Sequence, residues 1–253
     1  MLDKHHATPP VARVPVAPLR HYWSDERGRR RFVDDLFDRT AGDYDAVERM
    51  LAFGSGRWYR RQALQRAGLR PGMVVLDIAT GTGLVAREAL ALVGGTGRVL
   101  GLDPSAGMLG EAASLPIALV RALGEKLPFR DAAFDFVSMG FALRHVADLD
   151  VLFAEIRRVL KPGGIACVLE ITRPRRAVLA APLHVFMTRV VPAVARLAGR
   201  RGAADQLMHF YWDTIDACVA PEAVLGALER SGLASPRRGV ILGMFSEYVG
   251  TRN

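Results

Sequence analysis

From Met73 onward the chain alternates short, continuous apolar runs with helix-length segments, and this alternation restricts the fold more than any other feature. The runs are Met73 to Ile78, Arg98 to Asp103, Ile117 to Arg121, Phe134 to Gly140 and Ile165 to Ile171, each bounded by Gly, Asp or Pro. A strand that is apolar throughout must be covered on both faces, which is the condition of a parallel sheet crossed by helices. The spacing therefore predicts a doubly wound α/β sheet. A last segment, Val240 to Val249, splits at Gly243 into two short pieces that suit a pair of antiparallel edge strands.

Ahead of the sheet, Phe32, Leu36 and Phe37 fall on one side of an expected helix, Arg29 to Asp38, and a second helix is expected over Ala46 to Ala67. Residues 1–26, with Pro9, Pro10, Pro15 and Pro18 and no continuous hydrophobic core, read as a flexible arm and as neither signal peptide nor anchor. Residues 27–253 then form one domain with an insertion at about 175–215. Within it, the apolar stretch Ala177 to Gly199 is broken by His184, Arg189, Pro192 and Arg196. A membrane span needs about 20 mostly uncharged residues, so this stretch reads as a lid or interfacial helix.

Composition matters where it excludes partners. The 253 residues carry 34 Lys+Arg against 26 Asp+Glu, a formal charge of +8, yet only Lys4, Lys126 and Lys161 are lysines. So marked an Arg bias in an Ala-rich chain does not by itself point to a polyanion site, and nucleic acid is not expected as a partner. Cys167 and Cys218 have no CxxC spacing, which suggests a reducing cytoplasm. His5, His6 and His184 lack companions at ligand spacing, so no metal is expected.

The segment Val74 to Ala86 reads as strand, tight glycine turn and helix. Gly81, Gly83 and Ala86 satisfy G-x-G-x-x-G/A, and Asp103 follows Gly83 by 20 residues at the end of the next run, where a ribose diol would be bound. That pattern alone leaves NAD and S-adenosylmethionine as rivals. Asp77 helps separate them: a carboxylate directly under the turn repels a pyrophosphate but attracts a sulfonium and an ammonium. Downstream, Gly124-Glu125-Lys126-Leu127-Pro128-Phe129 follows the third run and Leu160-Lys161-Pro162-Gly163-Gly164 precedes the fifth.

Together these segments resemble the class I S-adenosylmethionine-dependent methyltransferases. The flanks narrow the resemblance. Phe37-x-x-x-Ala41-x-x-Tyr44-Asp45, Phe53-Gly54-Ser55-Gly56-Arg57-Trp58, Asp103 to Leu109 and above all Phe141-Ala142-Leu143-Arg144-His145-Val146 are similar to the ubiquinone/menaquinone biosynthesis C-methyltransferase family. The resemblance runs from about Phe37 to Leu233. It implies a doubly wound, seven-stranded Rossmann-like sheet with an N-terminal helical segment and an inserted helical lid. It also implies S-adenosylmethionine as donor, S-adenosylhomocysteine as product and a hydrophobic phenol or quinol as acceptor. Carried over by position, Asp77, Gly81, Thr82, Gly83, Asp103, Met108, Leu123, Gly124, Gly140 and Tyr44 are the cofactor-site residues. Thr82 and Gly140 would then meet the methionyl end, Asp103 the ribose, and Leu123 and Gly124 the adenine edge.

Several positions depart from the family. Leu123 stands where it usually has Asp or Asn, Gly140 replaces a small hydroxyl residue, Ala142 replaces Gly, and His145 replaces Asn. For methylation at a ring carbon ortho to a phenol oxygen, removing the phenol proton enriches that carbon in electrons. His145 is therefore the candidate base, with Arg144 stabilising the phenolate, although His145 could equally orient substrate as an Asn would. Glu170, at the end of the fifth run, and His209, Tyr211 and Asp213 are candidates for the acceptor pocket, against the commoner reading of an aromatic stripe as core. Methylation at oxygen or nitrogen of a secondary metabolite is the alternative, and an NAD-dependent oxidoreductase the remote one. Arg173, Arg175, Arg176, Arg189, Arg196, Arg200 and Arg201 cluster around the lid, which suits peripheral contact with an anionic membrane. A homodimer is also compatible with the sequence.

Overall fold

The computed structural model describes residues 19, 21–52, 54–174, 177–197, 199 and 203–253. Most of the expected arm, together with Arg175, Arg176, Arg200 and Arg201, lies outside the described residues. The strands are β1 Val74–Ile78, β2 Arg98–Asp103, β3 Ala118–Arg121, β4 Phe134–Gly140, β5 Leu160–Ile171, β6 Leu233–Ile241 and β7 Phe245–Arg252. They form one seven-stranded sheet in the order β3-β2-β1-β4-β5-β7-β6. β1 to β5 are parallel, and β7 runs antiparallel between β5 and β6.

The five apolar runs are the five parallel strands. The C-terminal pair is longer than the sequence indicates, because β6 begins at Leu233, and of these two strands β6 is an edge while β7 is internal. The order reverses between β1 and β4, so the loops leaving these two strands diverge and open a crevice beyond their carboxyl ends.

Residue alternation explains how the layers are filled. Leu76, Ile78, Val137 and Met139 pack on one face with Leu152, Phe153 and Leu228 of α5 (Leu149–Val159) and α9 (Pro221–Arg230). Val75, Phe136, Cys167 and Leu169 pack on the other with Leu64, Ala86 and Ala89 of α2 (Gly56–Ala67) and α3 (Leu84–Val93). The same period sets Asp77 and Ser138 side by side on the α3 face, in register across β1 and β4.

The N-terminal helices differ from expectation. α1 runs unbroken from Glu26 to Leu51, and the break falls after Ala52, where Gly54 adopts φ +74°. Nothing between Asp38 and Ala46 stops a helix: Gly42 is tolerated there, and Leu36, Thr40, Ala41 and Val47 keep one buried face through the segment. α2 ends at Gly68 in the left-handed conformation, whose N–H donates to Gln65. The last residues of the expected arm belong to the folded unit, since Tyr22 and Trp23 pack their rings on Phe32 and Phe210.

After α4 (Ala106–Ala112) and α5, the insertion comprises α6 (Ala177–Val185), a π-helical turn Phe186–Val190, α7 (Val191–Leu197) and α8 (Ala203–Asp216). It closes on α1 around Leu36, Val47, Met187, Val191 and Phe210 as a third apolar cluster. No helix among the described residues is long and apolar enough to cross a membrane.

Candidate functional site

The turn after β1 is built from three left-handed residues, Ala79 (φ +50°), Gly81 (φ +57°) and Gly83 (φ +86°). Ala79 carries a side chain in a conformation L-residues rarely adopt, and such strain persists only where its surroundings hold it. Asp77 does the holding. Its carboxylate, fully buried, accepts from Thr80 Oγ1 at 2.7 Å and Ser138 Oγ at 2.6 Å. Burial pushes its pKa up to about 6, against the pull of these two hydroxyls.

Asp103 ties the turn to the loop after β2. One carboxylate oxygen accepts from Gly81 N at 2.8 Å and the other from Ser105 N at 2.9 Å. Burial again raises its pKa to about 6, opposed by those two N–H groups.

Above these loops lies a pocket with about 900 Å³ of empty space, including its open mouth. Of the residues expected to hold a cofactor, Tyr44, Gly81, Asp103, Met108, Leu123, Gly124 and Gly140 line it. Asp77, Thr82 and Gly83 do not. Asp77 points toward α3 with both oxygens engaged, so it braces the turn from beneath the pocket. Thr82 is buried and gives its hydroxyl to Asp45 at 2.5 Å, and Gly83 caps α3, where a Cβ would stand 2.4 Å from Leu115. Gly140 has a structural cause as well: a Cβ there would come within 2.5 Å of Val85 Cγ2, leaving no room for a hydroxymethyl group.

α1 crosses this pocket as a strap. Asp38 accepts from Ser105 Oγ at 2.5 Å and Gly107 N at 2.9 Å, Asp45 holds Thr82, and Arg29 donates to the carbonyl of His145. α1 and α4 approach so closely that a Cβ on Gly107 would stand 2.9 Å from the Asp38 carbonyl oxygen.

A second, larger pocket of about 1230 Å³, mouth included, lies on the far side of Tyr44 and Phe141, which border both spaces. Its walls are apolar and aromatic: Tyr59, Ile171, Leu183, Phe186, Met187, Tyr211 and Phe245. Phe141 stands at φ +60°, a second strained residue at the junction. Two ion pairs edge this pocket. Arg144 meets Glu170 at 2.6 Å with both side chains buried, and its guanidinium lies 4.9 Å from the Tyr211 ring. Arg60 meets Glu48 at 2.6 Å, and its guanidinium lies 5.6 Å from the Phe141 ring.

The other sequence candidates fall as follows. His145 lines the cofactor-side pocket, stacked on Phe210 at 5.3 Å and edge-on to Phe37. Its Nε2 is buried without a hydrogen-bond partner, and burial, reinforced by Arg144 and Arg29, holds its pKa well below 6.5, so the ring is neutral at neutral pH. Tyr211 is in the apolar wall. Glu170 does not face the acceptor space: it anchors Arg144 and accepts from the Arg144 N–H as well. His209 is on the exposed side of α8, and Asp213 is spent on Tyr22, whose hydroxyl donates to it at 2.8 Å. Helical spacing put both near Tyr211 in sequence, but only one face of α8 turns inward.

The ion pair Glu48–Arg60, the strap acid Asp38 and the lid residues Leu183, Phe186 and Met187 escape the sequence reading. Arg60 left one trace: it falls on the buried stripe of α2 with Ala63, Leu64 and Ala67, where an unpaired Arg would not be tolerated. Among the described residues no group of three or more His, Cys, Asp or Glu side chains is arranged to hold a metal ion.

The first pocket fits S-adenosylmethionine. A carboxylate faces it at the end of β2, as a ribose diol requires, and a Cβ on Gly81 would project into open space, the mark of a backbone cradle. The buried Asp77 beneath is unsuited to a pyrophosphate.

Comparison with known proteins agrees. Residues 24–230 match the ubiE/COQ5 methyltransferase family. The ubiquinone/menaquinone biosynthesis C-methyltransferase UbiE of Hahella chejuensis is 36% identical over 209 residues, covering 79% of this chain and 83% of that protein. Among solved structures, a SAM-dependent methyltransferase of Thermotoga maritima, described as a possible histamine N-methyltransferase, superposes with a TM-score of 0.63 at 19% identity. It covers 87% of this chain and 99% of that one. Phosphoethanolamine N-methyltransferase 2 of Haemonchus contortus, solved with S-adenosyl-L-methionine, superposes at 0.57 with 15% identity, over 77% of this chain and 52% of that one. These two likenesses show the fold, and the sequence match shows the family: the chain belongs to the ubiE/COQ5 methyltransferase family and is an S-adenosylmethionine-dependent methyltransferase.

Proposed function

We propose that this enzyme methylates a ring carbon of a hydrophobic quinol or phenol held in the apolar pocket. The observation that carries the reading is the contact of two unlike pockets at Tyr44 and Phe141, one furnished with an acid and glycine backbone, the other apolar and aromatic. S-adenosylmethionine supplies an electrophilic methyl group when bound in the first. Asp103 accepts from the ribose hydroxyls, Leu123, Gly124 and Met108 flank the adenine, and Gly81 and Gly140 leave space for the methionyl end.

Tyr44 and Phe141 fix the separation between the two reactants, and alignment of this kind supplies much of the acceleration of a direct displacement. Arg144 lies on the acceptor side, where its charge favours an ionised ring oxygen and so an electron-rich ortho carbon. We assign the phenol proton to His145, which is kept neutral and lines the cofactor-side pocket, at the point where the acceptor ring meets that pocket. Methylation of the ionised ring leaves a neutral dienone, which loses the C–H proton of the methylated carbon while its oxygen regains one, so the ring ends as a neutral phenol and one proton is released overall.

The rim also supports a route for an oily substrate. Trp58 and Leu242, at the mouth of the apolar pocket, are 63% and 81% exposed, and the exposed Val190, Val194 and Leu197 lie on the lid near Arg189 and Arg196. Exposed apolar side chains beside cations suit transient docking on an anionic bilayer.

The test is incubation with methyl-labelled S-adenosylmethionine and a bacterial lipid extract, with the product located by mass spectrometry and NMR. Label on a ring carbon of a lipid-soluble quinol is expected, whereas label confined to water-soluble products, or to oxygen or nitrogen, overturns the reading. Salt-sensitive sedimentation with phosphatidylglycerol vesicles is expected, and binding indifferent to lipid charge and salt would count against the docking.

A further inference from the structure

The ion pair Glu48–Arg60 sits where an apolar cavity has least reason to hold charge. Arg60 is 4% exposed, lines the apolar pocket, and uses one Nη to reach Glu48, while its Nε is buried with no hydrogen-bond partner. A buried donor left unpaired is costly, more so on a charged group, and persists in folded proteins mainly where something else satisfies it. The surroundings are shaped to keep the pair in place. Gly56, at the start of α2, gives it room, since a Cβ there would stand 2.2 Å from Glu48 Oε1 and 2.8 Å from Arg60 Nη1. The guanidinium also lies over Phe141, the strained residue that separates acceptor from cofactor space.

We propose that Arg60 is a specificity-determining residue whose guanidinium binds an oxygen of the acceptor ring, with Glu48 fixing its orientation. This rests on the apolar pocket being the acceptor site, and it adds that the acceptor presents an oxygen toward α2, apart from the oxygen that Arg144 and His145 serve. An acceptor with oxygens on opposite sides of the ring, as in a 1,4-quinol or quinone, meets both requirements; a simple phenol meets one. Arg60 thereby sets which ring carbon faces Tyr44 and Phe141, because pinning two oxygens removes rotation of the ring in its plane.

Binding is measured separately from turnover. Quenching of protein fluorescence reports binding of 2,3-dimethyl-1,4-naphthoquinone and of 1,2,3,4-tetramethylnaphthalene, which has methyl groups in place of both oxygens. Arg60→Lys keeps a cation for Glu48 but replaces the guanidinium fork with a single ammonium, and Glu48→Gln with Arg60→Met removes the pair without leaving a lone charge. Both variants are expected to bind the quinone about tenfold more weakly or worse, the loss typical of a hydrogen bond to a charged group, with tetramethylnaphthalene and S-adenosylhomocysteine affinities unchanged. Equal weakening of quinone and hydrocarbon, unchanged quinone binding in the variants, or no quinone binding by the unaltered enzyme would each overturn the proposal. Failure of the unaltered enzyme to methylate any quinol, with the Arg60-dependent quinone binding intact, would instead remove ring-carbon methylation and leave the oxygen site standing.

Discussion

The two pockets on either side of Tyr44 and Phe141 are built by opposite means. On the cofactor side the determinants are backbone and acids at strand ends, and the buried carboxylates are satisfied by the protein itself: Asp77 by two hydroxyls, Asp103 by two N–H groups. On the acceptor side the walls come from α1, α2, the π-helical turn, α8 and β7, and the polar groups are sparse, paired in charge, and in Arg60 left short of a partner. A site that serves one unvarying ligand is completed in advance. A site that must discriminate among oily rings keeps its few donors open to whatever enters.

That contrast is most exposed at Arg144, which stands on the acceptor side yet is held by Glu170, Phe141 and Thr214. Arg144→Met strands Glu170, fully buried in β5, without its cation. Breaking a buried pair by removing one partner costs about 3–5 kcal/mol, so the denaturant midpoint should fall accordingly, and Arg144→Met with Glu170→Leu should recover most of the loss. If the single variant resists denaturant as well as the parent, Arg144 is a reaction group alone and the contrast between pre-satisfied and open groups loses its best case.

The next effect separates the two halves. Asp103→Asn removes the ionised acceptor for the ribose hydroxyls, and S-adenosylhomocysteine affinity should fall about tenfold to a hundredfold by calorimetry, with quinone binding untouched. Because the carboxyl titrates at about 6 in the free enzyme and the ligand prefers the ionised form, the parent's affinity should weaken as pH falls through about 6. The variant should not follow that pH dependence. A parent whose affinity is flat from pH 7 to 5 would place the ribose elsewhere.

The same contrast explains what the sequence could and could not convey. Strands at the switch point are contiguous apolar runs, so β1 to β5, the glycine turn and Asp103 are legible within some thirty consecutive residues each. The acceptor pocket draws Glu48, Tyr59, Phe141, Leu183, Tyr211 and Phe245 from six elements or loops, and no local spacing announces that they meet. Tyr211 lies in the apolar wall, but proximity in sequence does not say which neighbours share its face, so His209 and Asp213 stand beside it as candidates and fall elsewhere. Asp77 shows a subtler gap: its importance is visible, but strand alternation places it on the α3 face and outside the pocket lining, and that depends on a register with Ser138 that only the folded sheet defines. The sequence reading divides α1 between Asp38 and Ala46, whereas one buried face and packing against α4 keep the helix continuous through Gly42.

A smaller effect is expected at the strap, which belongs to both halves because Asp45 grips the glycine turn while Tyr44 beside it faces the acceptor. Asp45→Ala and Thr82→Val should each cost about 1 kcal/mol, and the double variant little more than either, since one hydrogen bond is lost in all three. Fully additive losses in a thermodynamic cycle would mean the contact contributes nothing as a pair. Hydrogen exchange should also show α1 opening more readily in each variant, because the strap would then have lost one of its side-chain ties to this side.

The smallest effect falls on His145, where the two halves touch and where a base and a merely orienting group predict different things. The folded protein keeps this imidazole neutral, with its pKa well below 6.5, while the unfolded chain protonates it near that value. The unfolded state therefore binds the extra proton, and stability present above about pH 6.5 is lost as pH falls below it. Asp77 and Asp103, raised to about 6, act in the opposite sense between their ordinary range and about 6, but they do so equally in parent and variant and cancel in the comparison. His145→Asn should thus match the parent in stability at pH 8 and exceed it at pH 5.5. Turnover decides the chemistry: a base that takes the phenol proton makes the Asn variant slow at neutral pH and faster as rising pH ionises the acceptor unaided, whereas an orienting residue leaves the pH profile of kcat unaltered. The second outcome would assign activation of the ring to Arg144, and the side of the partition on which the proton leaves would then be the acceptor's.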